Sequence, residues 1–234
     1  MNGSSQNRRE RLRAFTVKEI KTVATTLMTR GGPDAVTLRA IARHMGLTPS
    51  ALYAYYPTRD ALITALTIDE SLAMVDAMET ARDALPAEDK SGRLQAWVTA
   101  FRTWAMANPA GFRLVFGDPI SGYRPPEDGT VALIENRACA GFIALVAAAW
   151  PLDGGPAPTE HEWTDFPTAL VQDVRAAFPG VPPAAAALAL RQWAALHGLL
   201  ALEIRGRLST HTRRPEKLYK AAIVEMLAAL RLSL

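Results

Sequence analysis

Apolar residues recur along most of this chain at intervals of three and four, which is the spacing of one face of an α-helix. No run of alternating apolar and polar residues is long enough to form a whole strand. Thr16 and Glu19 match a capping box at the start of the first helical run, and glycines and prolines separate the runs that follow. The helices predicted in this part of the chain are 16–31, 38–44, 50–56 and 58–85.

The rest of the chain is predicted to be helical as well, so the expected fold class is all-α. The predicted helices are 92–107, 109–116, 130–150, 162–178, 183–207 and 215–232. Residues 184–204 are apolar and long enough to cross a membrane, but Arg191 and Gln192 lie near the middle of the stretch. An arginine at the centre of a bilayer costs about 2.5–3.5 kcal/mol, so we expect a helix buried in protein.

Composition excludes several classes of site. The chain has 234 residues, 49% of them hydrophobic, which is enough for a core without disulfides. Cys139 is the single cysteine and the four histidines are widely separated, so we expect no disulfide, no metal site and no cofactor. The polar, basic N-terminus is not followed by the apolar core of a secretion signal, and the expected location is the cytoplasm.

Positive charge is concentrated at the start of the chain. Residues 1–60 contain ten Lys and Arg against four Asp and Glu, whereas acidic residues slightly outnumber basic ones in the remainder. This asymmetry predicts a first module that faces a polyanion and a separate body. Residues 1–15 are predicted to be a flexible basic arm.

Residues 37–56 have the size of a helix-turn-helix unit. The second helix would bury Leu52 and leave small hydroxyls and tyrosines exposed, which lets it enter the major groove of DNA. Arg39 and Arg43, one turn apart on the preceding helix, are placed to follow the phosphate backbone. The alternative is a small packing module with a solvated basic face.

The residues around this unit carry a family resemblance. The run VTLRAIARHMGLTPSALYAYYPTRDAL, residues 36–62, combines T-x-x-x-I-A, G-x-x-x-x-x-L-Y-x-Y-Y and P-x-[KR]-x-x-L. It resembles the DNA-binding signature of TetR-type transcriptional regulators over residues 16–70. Further along, Trp193, His197, Gly198 and Leu202 are similar to the WHG class of TetR C-terminal domains.

The resemblance implies a domain organisation, a function and a set of partners. Residues 16–60 would form the helix-turn-helix domain, helix four from residue 58 would link it to the next, and residues 61–234 would form an effector-binding and dimerisation domain. The expected function is a homodimeric repressor that binds double-stranded, palindromic operator DNA and is released by a small apolar or aromatic effector. The expected DNA contacts are Thr37, Arg39, Thr48, Ser50, Ala51, Tyr53, Tyr55 and Arg59.

Two further sets of residues are expected in the C-terminal domain. The resemblance implies an apolar ligand pocket in this domain, where aromatic side chains are grouped, although the same rings would also serve simply as core. The predicted ligand residues are Trp104, Phe112, Phe142, Trp163 and His197. The last two helices carry more apolar surface than one protomer covers, and the predicted dimer residues are Leu188, Ala195, Leu199, Leu202, Ile223, Met226 and Leu230.

No arrangement of residues typical of an enzyme is present. The sequence lacks a glycine-rich phosphate loop, a G-x-S-x-G elbow and an H-E-x-x-H motif. We therefore predict a regulator that is not an enzyme. The competing hypothesis is a helical small-molecule-binding or catalytic domain whose basic N-terminus is incidental.

Overall fold

The computed structural model describes residues 3–117, 119–126, 129–151 and 160–233. Within these ranges the regular structure is helical, with ten α-helices and no strand, which confirms the predicted all-α class. The helices are α1 (Gly3–Gly31), α2 (Leu38–Met45), α3 (Pro49–Tyr53), α4 (Arg59–Asp83), α5 (Lys90–Ala107), α6 (Pro109–Phe116), α7 (Thr130–Ala149), α8 (Thr168–Ala177), α9 (Pro183–Ile204) and α10 (Pro215–Ala229).

The helices form two compact units whose boundaries differ from a simple division at residue 60. The first unit contains the residues up to 72 together with 108–132, and the second contains 73–107 together with the residues from 133 onward. Helix α6 therefore belongs to the first unit, although it follows α5 of the second along the chain.

The prediction for the start of α1 is wrong. The helix begins at Gly3 rather than near Thr16, so the described part of the predicted flexible arm is helical. Residues 4–30 contain neither glycine nor proline, and nothing in that stretch interrupts the helix. The Thr16 hydroxyl donates to the carbonyl of Leu12 one turn earlier, which is the bond of a mid-helix threonine and not of a cap.

A core of aliphatic side chains holds the first three helices and the start of α4 together. Ile20, Ile41, Leu52 and Leu62 come from four different helices and have no exposed surface. Burying a side chain of this kind stabilises the fold by about 1.5–3 kcal/mol. Because α3 is only five residues long, its position depends on this packing rather than on its own helical stability.

The second unit is centred on aromatic side chains. Trp97 and Phe101 of α5 and Phe142 of α7 are fully buried. A Cβ on Gly141 would lie 2.5 Å from the Trp97 ring, so glycine allows α7 to approach α5 closely. The buried Tyr219 hydroxyl of α10 donates to the carbonyl of Val98, 2.8 Å away.

Two helices, α7 and α9, are long and apolar enough to cross a membrane on length and composition alone. Core helices of soluble proteins pass the same test. Side chains from both helices meet in the second unit, where the ring centroids of Phe142 and Trp193 are 5.8 Å apart. Both helices therefore contribute side chains to the aromatic core of that unit.

The helix predicted over residues 162–178 is divided in the structure. A short turn occupies Trp163–Asp165, and α8 begins only at Thr168. Phe166 is extended, which is the conformation favoured before a proline, and Pro167 stands at the N-cap of α8. Pro167 thus separates two elements that the apolar periodicity alone had joined.

Candidate DNA-binding site

A tight turn places α3 against α2. Gly46 adopts the left-handed conformation with φ 66° and ψ 25°, and its N–H donates to the carbonyls of Ala42 and Arg43 at the end of α2. Residues with a Cβ adopt this conformation at a cost, which accounts for the glycine. The Thr48 side chain then accepts a hydrogen bond from the N–H of Ala51 and caps α3. The pair is a helix-turn-helix, as the sequence predicts.

The outer face of α3 carries small hydroxyls and one phenol. Thr48 and Ser50 are exposed, and their hydroxyl oxygens lie 2.9 Å apart. Tyr53 is 51% exposed, and Ala51 is partly exposed. Leu52 on the opposite face is fully buried and anchors the helix.

Tyr55 does not lie on α3, although the sequence predicts a helix to residue 56. The helix ends at Tyr53, and the N–H groups of Tyr55 and Tyr56 both donate to the carbonyl of Leu52 in a closing turn. Tyr56 turns into the core and is 8% exposed, whereas Tyr55 remains partly exposed beside the end of α3. Both surface tyrosines are therefore accessible, one from the helix and the other from the turn.

Helix α2 contributes positive charge to the same region. Thr37 accepts from the N–H of Ala40 and caps this helix, as expected. Arg39 and Arg43 are exposed, and neither forms a hydrogen bond or ion pair with another residue in the described parts of the chain. Their charges are available to an anionic partner.

Arg59 has partners that the sequence does not reveal. Its guanidinium donates to the carbonyls of Val36 at 2.8 Å, Pro33 at 2.9 Å and Ser121 at 3.3 Å, and Asp34 lies 3.8 Å away. These bonds occupy all three of its nitrogens. Backbone carbonyls that are distant in sequence converge on Arg59, which gives this side chain a structural role that the sequence does not reveal.

The connection after α6 packs against the first turns of α4. In addition to the Ser121 contact, the N–H of Arg124 donates to the Asp60 carboxylate at 3.3 Å, and the Thr64 and Tyr123 hydroxyls are 3.0 Å apart. The glycine- and proline-rich composition of this connection indicates a loop but does not indicate where it docks.

Two of the predicted ligand residues, Phe142 and His197, meet in one aromatic cluster of the second unit. Trp193 stacks on Phe101 with ring centroids 4.9 Å apart and contacts Phe142, and the His197 ring stacks 6.4 Å from Phe101. Burial, aided by the positive charge of Arg205, lowers the pKa of His197, so its imidazole is neutral at pH 7.

The other three predicted ligand residues are distributed differently. Trp104 is a buried residue of α5, and Trp163 packs edge-on against Phe166 at 5.9 Å. Phe112 belongs to the first unit, where its ring lies 5.3 Å from Phe116. The predicted set is therefore not a single site within one unit.

A surface cavity of about 550 Å³ lies in the first unit between α1 and α4. Charged side chains line it, including Lys18 and the ion pair of Lys21 with Asp69. Burial and the neighbouring Asp69 carboxylate raise the pKa of Glu70 in its wall. Its chemistry differs from that of the aromatic pocket predicted from the sequence.

The predicted dimer residues fall into two groups. Ile223, Met226 and Leu230 are at most 7% exposed, and Leu188 of α9 is 5% exposed. These side chains are already buried in the protomer core, which leaves little of their surface for a contact with a second protomer.

Ala195 and Leu202 are exposed, and Leu199 is partly exposed, so these three remain candidates for a contact with a second protomer. The exposed apolar surface of α10 is formed instead by residues that the sequence analysis did not select. They are Leu218, Ala221, Val224 and Ala228.

Two family models match the chain. The model described as bacterial regulatory proteins, tetR family, matches residues 14–66, which contain the helix-turn-helix. The model described as tetracyclin repressor-like, C-terminal domain, matches residues 94–226, more than half of the chain.

Individual proteins support the same assignment. The HTH-type transcriptional regulator Rv1816 of Mycobacterium tuberculosis and Mb1846 of Mycobacterium bovis are each 38% identical over 117 residues, and the chain spans about half the length of these relatives. The regulatory protein SCO4313, whose crystal structure is known, is 30% identical in sequence and superposes with a TM-score of 0.75. The match covers 94% of this chain and 98% of the SCO4313 chain.

A tetR-family regulatory protein from Rhodococcus RHA1 has the same fold, with a TM-score of 0.61 over 92% of this chain and 95% of its own, at 22% identity. The matched proteins are regulators rather than enzymes, in agreement with the predicted absence of catalysis. The chain belongs to the TetR family of transcriptional regulators.

Proposed function

We propose that this protein is a homodimeric, cytoplasmic repressor that binds a palindromic operator and is released from it by a small apolar or aromatic molecule. The observation that carries the proposal is the exposed, hydroxyl-bearing face of α3 beside Arg39 and Arg43, whose charges are unpaired within the described chain. A surface of this kind combines groups that hydrogen-bond to base edges with cations that attract phosphates.

The proposed roles follow from position on the helix-turn-helix. Thr48, Ser50, Ala51 and Tyr53 on α3 contact base edges or the groove wall, and Tyr55 does so from the turn. Thr37 and Arg39 contact phosphates from α2, because the first helix of such a unit crosses the backbone. Small side chains at positions 50 and 51 allow α3 to approach the floor of the groove.

Removal of the phenol hydroxyl of Tyr53 tests base recognition. The binding free energies of the operator and of a duplex with one substituted base pair differ, and we expect Tyr53→Phe to reduce this difference by about 1–3 kcal/mol, because one hydrogen bond to a base is lost. Tyr123→Phe is the matched control, since it deletes the same hydroxyl outside the helix-turn-helix and should leave this preference unchanged. Competition binding with operator and mismatched duplexes measures it, and equal weakening on all duplexes would contradict base recognition by Tyr53.

The proposed dimer uses the exposed faces of α9 and α10. One stripe of α9 is largely uncovered by the other described parts of the protomer: Ala194, Ala195 and Leu202 are exposed on it, and Gly198 is partly exposed. A Cβ on Gly198 would meet no described atom within 4 Å, so the backbone at this glycine offers room for the close approach of a helix from a second protomer. Two-fold symmetry then pairs two helix-turn-helix units with a palindrome.

We place the effector against the cluster of Phe101, Phe142, Trp193 and His197. Trp193 and His197 are only partly buried, so part of this aromatic surface is within reach of a ligand. Stacked rings beside a neutral imidazole suit an uncharged aromatic molecule.

A titration tests the release mechanism. A panel of neutral aromatic compounds is titrated against the free protein and against its operator complex, with tryptophan fluorescence as the readout. A compound that weakens operator binding tenfold must bind the complex tenfold less tightly than the free protein, a coupling of about 1.4 kcal/mol. We expect Trp193→Phe, but not the control Trp163→Phe, to abolish the fluorescence change. Equal affinities for both forms would exclude a compound as an effector.

A further inference from the structure

The first turns of α1 form a basic surface that the helix-turn-helix does not include. Between residues 6 and 13 the helix carries four arginines against one acid, Glu10, and all eight side chains are exposed. A helical backbone gives each arginine a defined direction, which a flexible arm would not.

Arg13 fixes this part of α1 beside the end of α3. Its guanidinium donates to the carbonyl of Ala54 at 3.3 Å, and its central carbon lies 5.1 Å from the centroid of the Tyr55 ring. Hydrogen bonding and cation–π attraction act on the same side chain. The N-terminal part of α1 is therefore next to the surface proposed to enter the major groove.

Helix geometry divides the remaining arginines into two faces. Arg9 precedes Arg13 by four residues, which places it about 40° away around the helix and about 6 Å further along the axis. Arg11 is about 160° from Arg13 and Arg8 about 140°, on the far side of the helix. Arg9 forms no hydrogen bond or ion pair within the described residues, so its charge is available.

We propose that the N-terminal turns of α1 are a second DNA-contacting element, in which Arg9 binds a phosphate flanking the bases contacted by α3. This inference rests on the proposed insertion of α3 into the major groove. A duplex presents one phosphate about every 3.4 Å along each strand, so a cation one turn of α1 away from Arg13, which contacts the end of α3, is about two phosphate spacings from that contact. Arg13 holds the helix in place, and Arg9 supplies the contact.

The test compares two variants that lose the same charge from opposite faces of one helix. The affinities of the unmodified protein, Arg9→Ala and Arg11→Ala for a selected operator duplex are measured between 50 and 200 mM salt. We expect Arg9→Ala to reduce the slope of log affinity against log salt concentration by about one unit. The affinity ratio between the unmodified protein and Arg9→Ala should then shrink about three- to fourfold from 50 to 200 mM salt, while Arg11→Ala follows the unmodified protein. Both residues are exposed, and the thermal unfolding midpoints should be unchanged.

A second measurement locates the contact. Methylphosphonates, which are uncharged, replace the flanking phosphates one at a time. At one position this replacement should weaken DNA binding by the unmodified protein and by Arg11→Ala, but should leave DNA binding by Arg9→Ala unchanged. Equal behaviour of Arg9→Ala and Arg11→Ala in both measurements would overturn the inference. Failure of the unmodified protein to prefer any DNA sequence would instead contradict the proposed function.

Discussion

Replacement of Leu202 by glutamate is expected to convert the protein to monomers and to weaken operator binding by about 10²- to 10⁴-fold. Leu202 is 44% exposed on the uncovered stripe of α9, so the change does not disturb the protomer core. At a two-fold interface the substitution would bury a carboxylate from each protomer without a partner, which costs several kcal/mol. Each monomer would then bind one half-site without the benefit of the second.

Leu133→Glu provides the matched control. Leu133 is an exposed leucine of α7, outside the α9 and α10 faces, so the same chemical change should leave the dimer intact. Sedimentation at micromolar concentration and operator titration measure both properties. A Leu202→Glu protein that stays dimeric, or a Leu133→Glu protein that dissociates equally, would contradict the proposed interface.

Arg59→Ala is expected to destabilise the fold without removing a phosphate contact. Three hydrogen bonds from a charged donor are lost, and because a quarter of the side chain is exposed, water replaces part of them. We expect a loss of about 2 kcal/mol, which lowers the thermal midpoint of a chain of this length by about 4–8 °C. The salt slope of DNA binding should not change.

Arg39→Ala is the control for Arg59→Ala, with the opposite expected pattern. Arg39 has no described partner, so the midpoint should stay constant while the salt slope falls by about one unit. Arg59→Lys separates charge from geometry, since an ammonium cannot bridge three carbonyls as a guanidinium does. A reduced salt slope and an unchanged thermal midpoint for Arg59→Ala would contradict this expectation and would support the phosphate contact that the sequence suggests.

The helix-turn-helix and Arg59 show what the sequence could predict and what it could not. The caps at Thr37 and Thr48, the left-handed Gly46 and the burial of Leu52 follow from local chemistry, so the helix-turn-helix was predictable from its own residues. The role of Arg59 depends on carbonyls contributed by distant segments, and such convergence leaves no local signal.

Four of the predicted dimer residues are buried within the protomer, and the sequence could not show this for a related reason. Apolar periodicity shows that a helix has a buried face, but it does not show whether that face packs within the protomer or against a second one. Ile223 and Met226 pack within the protomer, whereas the outer side of α10 carries Leu218 and Val224, each more than 40% exposed. Alanine-rich helices such as α9 present apolar surface on several sides, which makes the distinction harder still.

The most direct test of the account is selection of bound DNA from a random duplex pool, followed by determination of the stoichiometry on the enriched sequence. The account predicts an inverted repeat bound by two protomers, with half-site centres separated by one helical turn, about 34–36 Å, or a multiple of it. Enrichment should disappear with the Leu202→Glu protein at the same concentration. An asymmetric site bound by one protomer, or a pool in which no sequence is enriched, would contradict a symmetric operator-binding dimer.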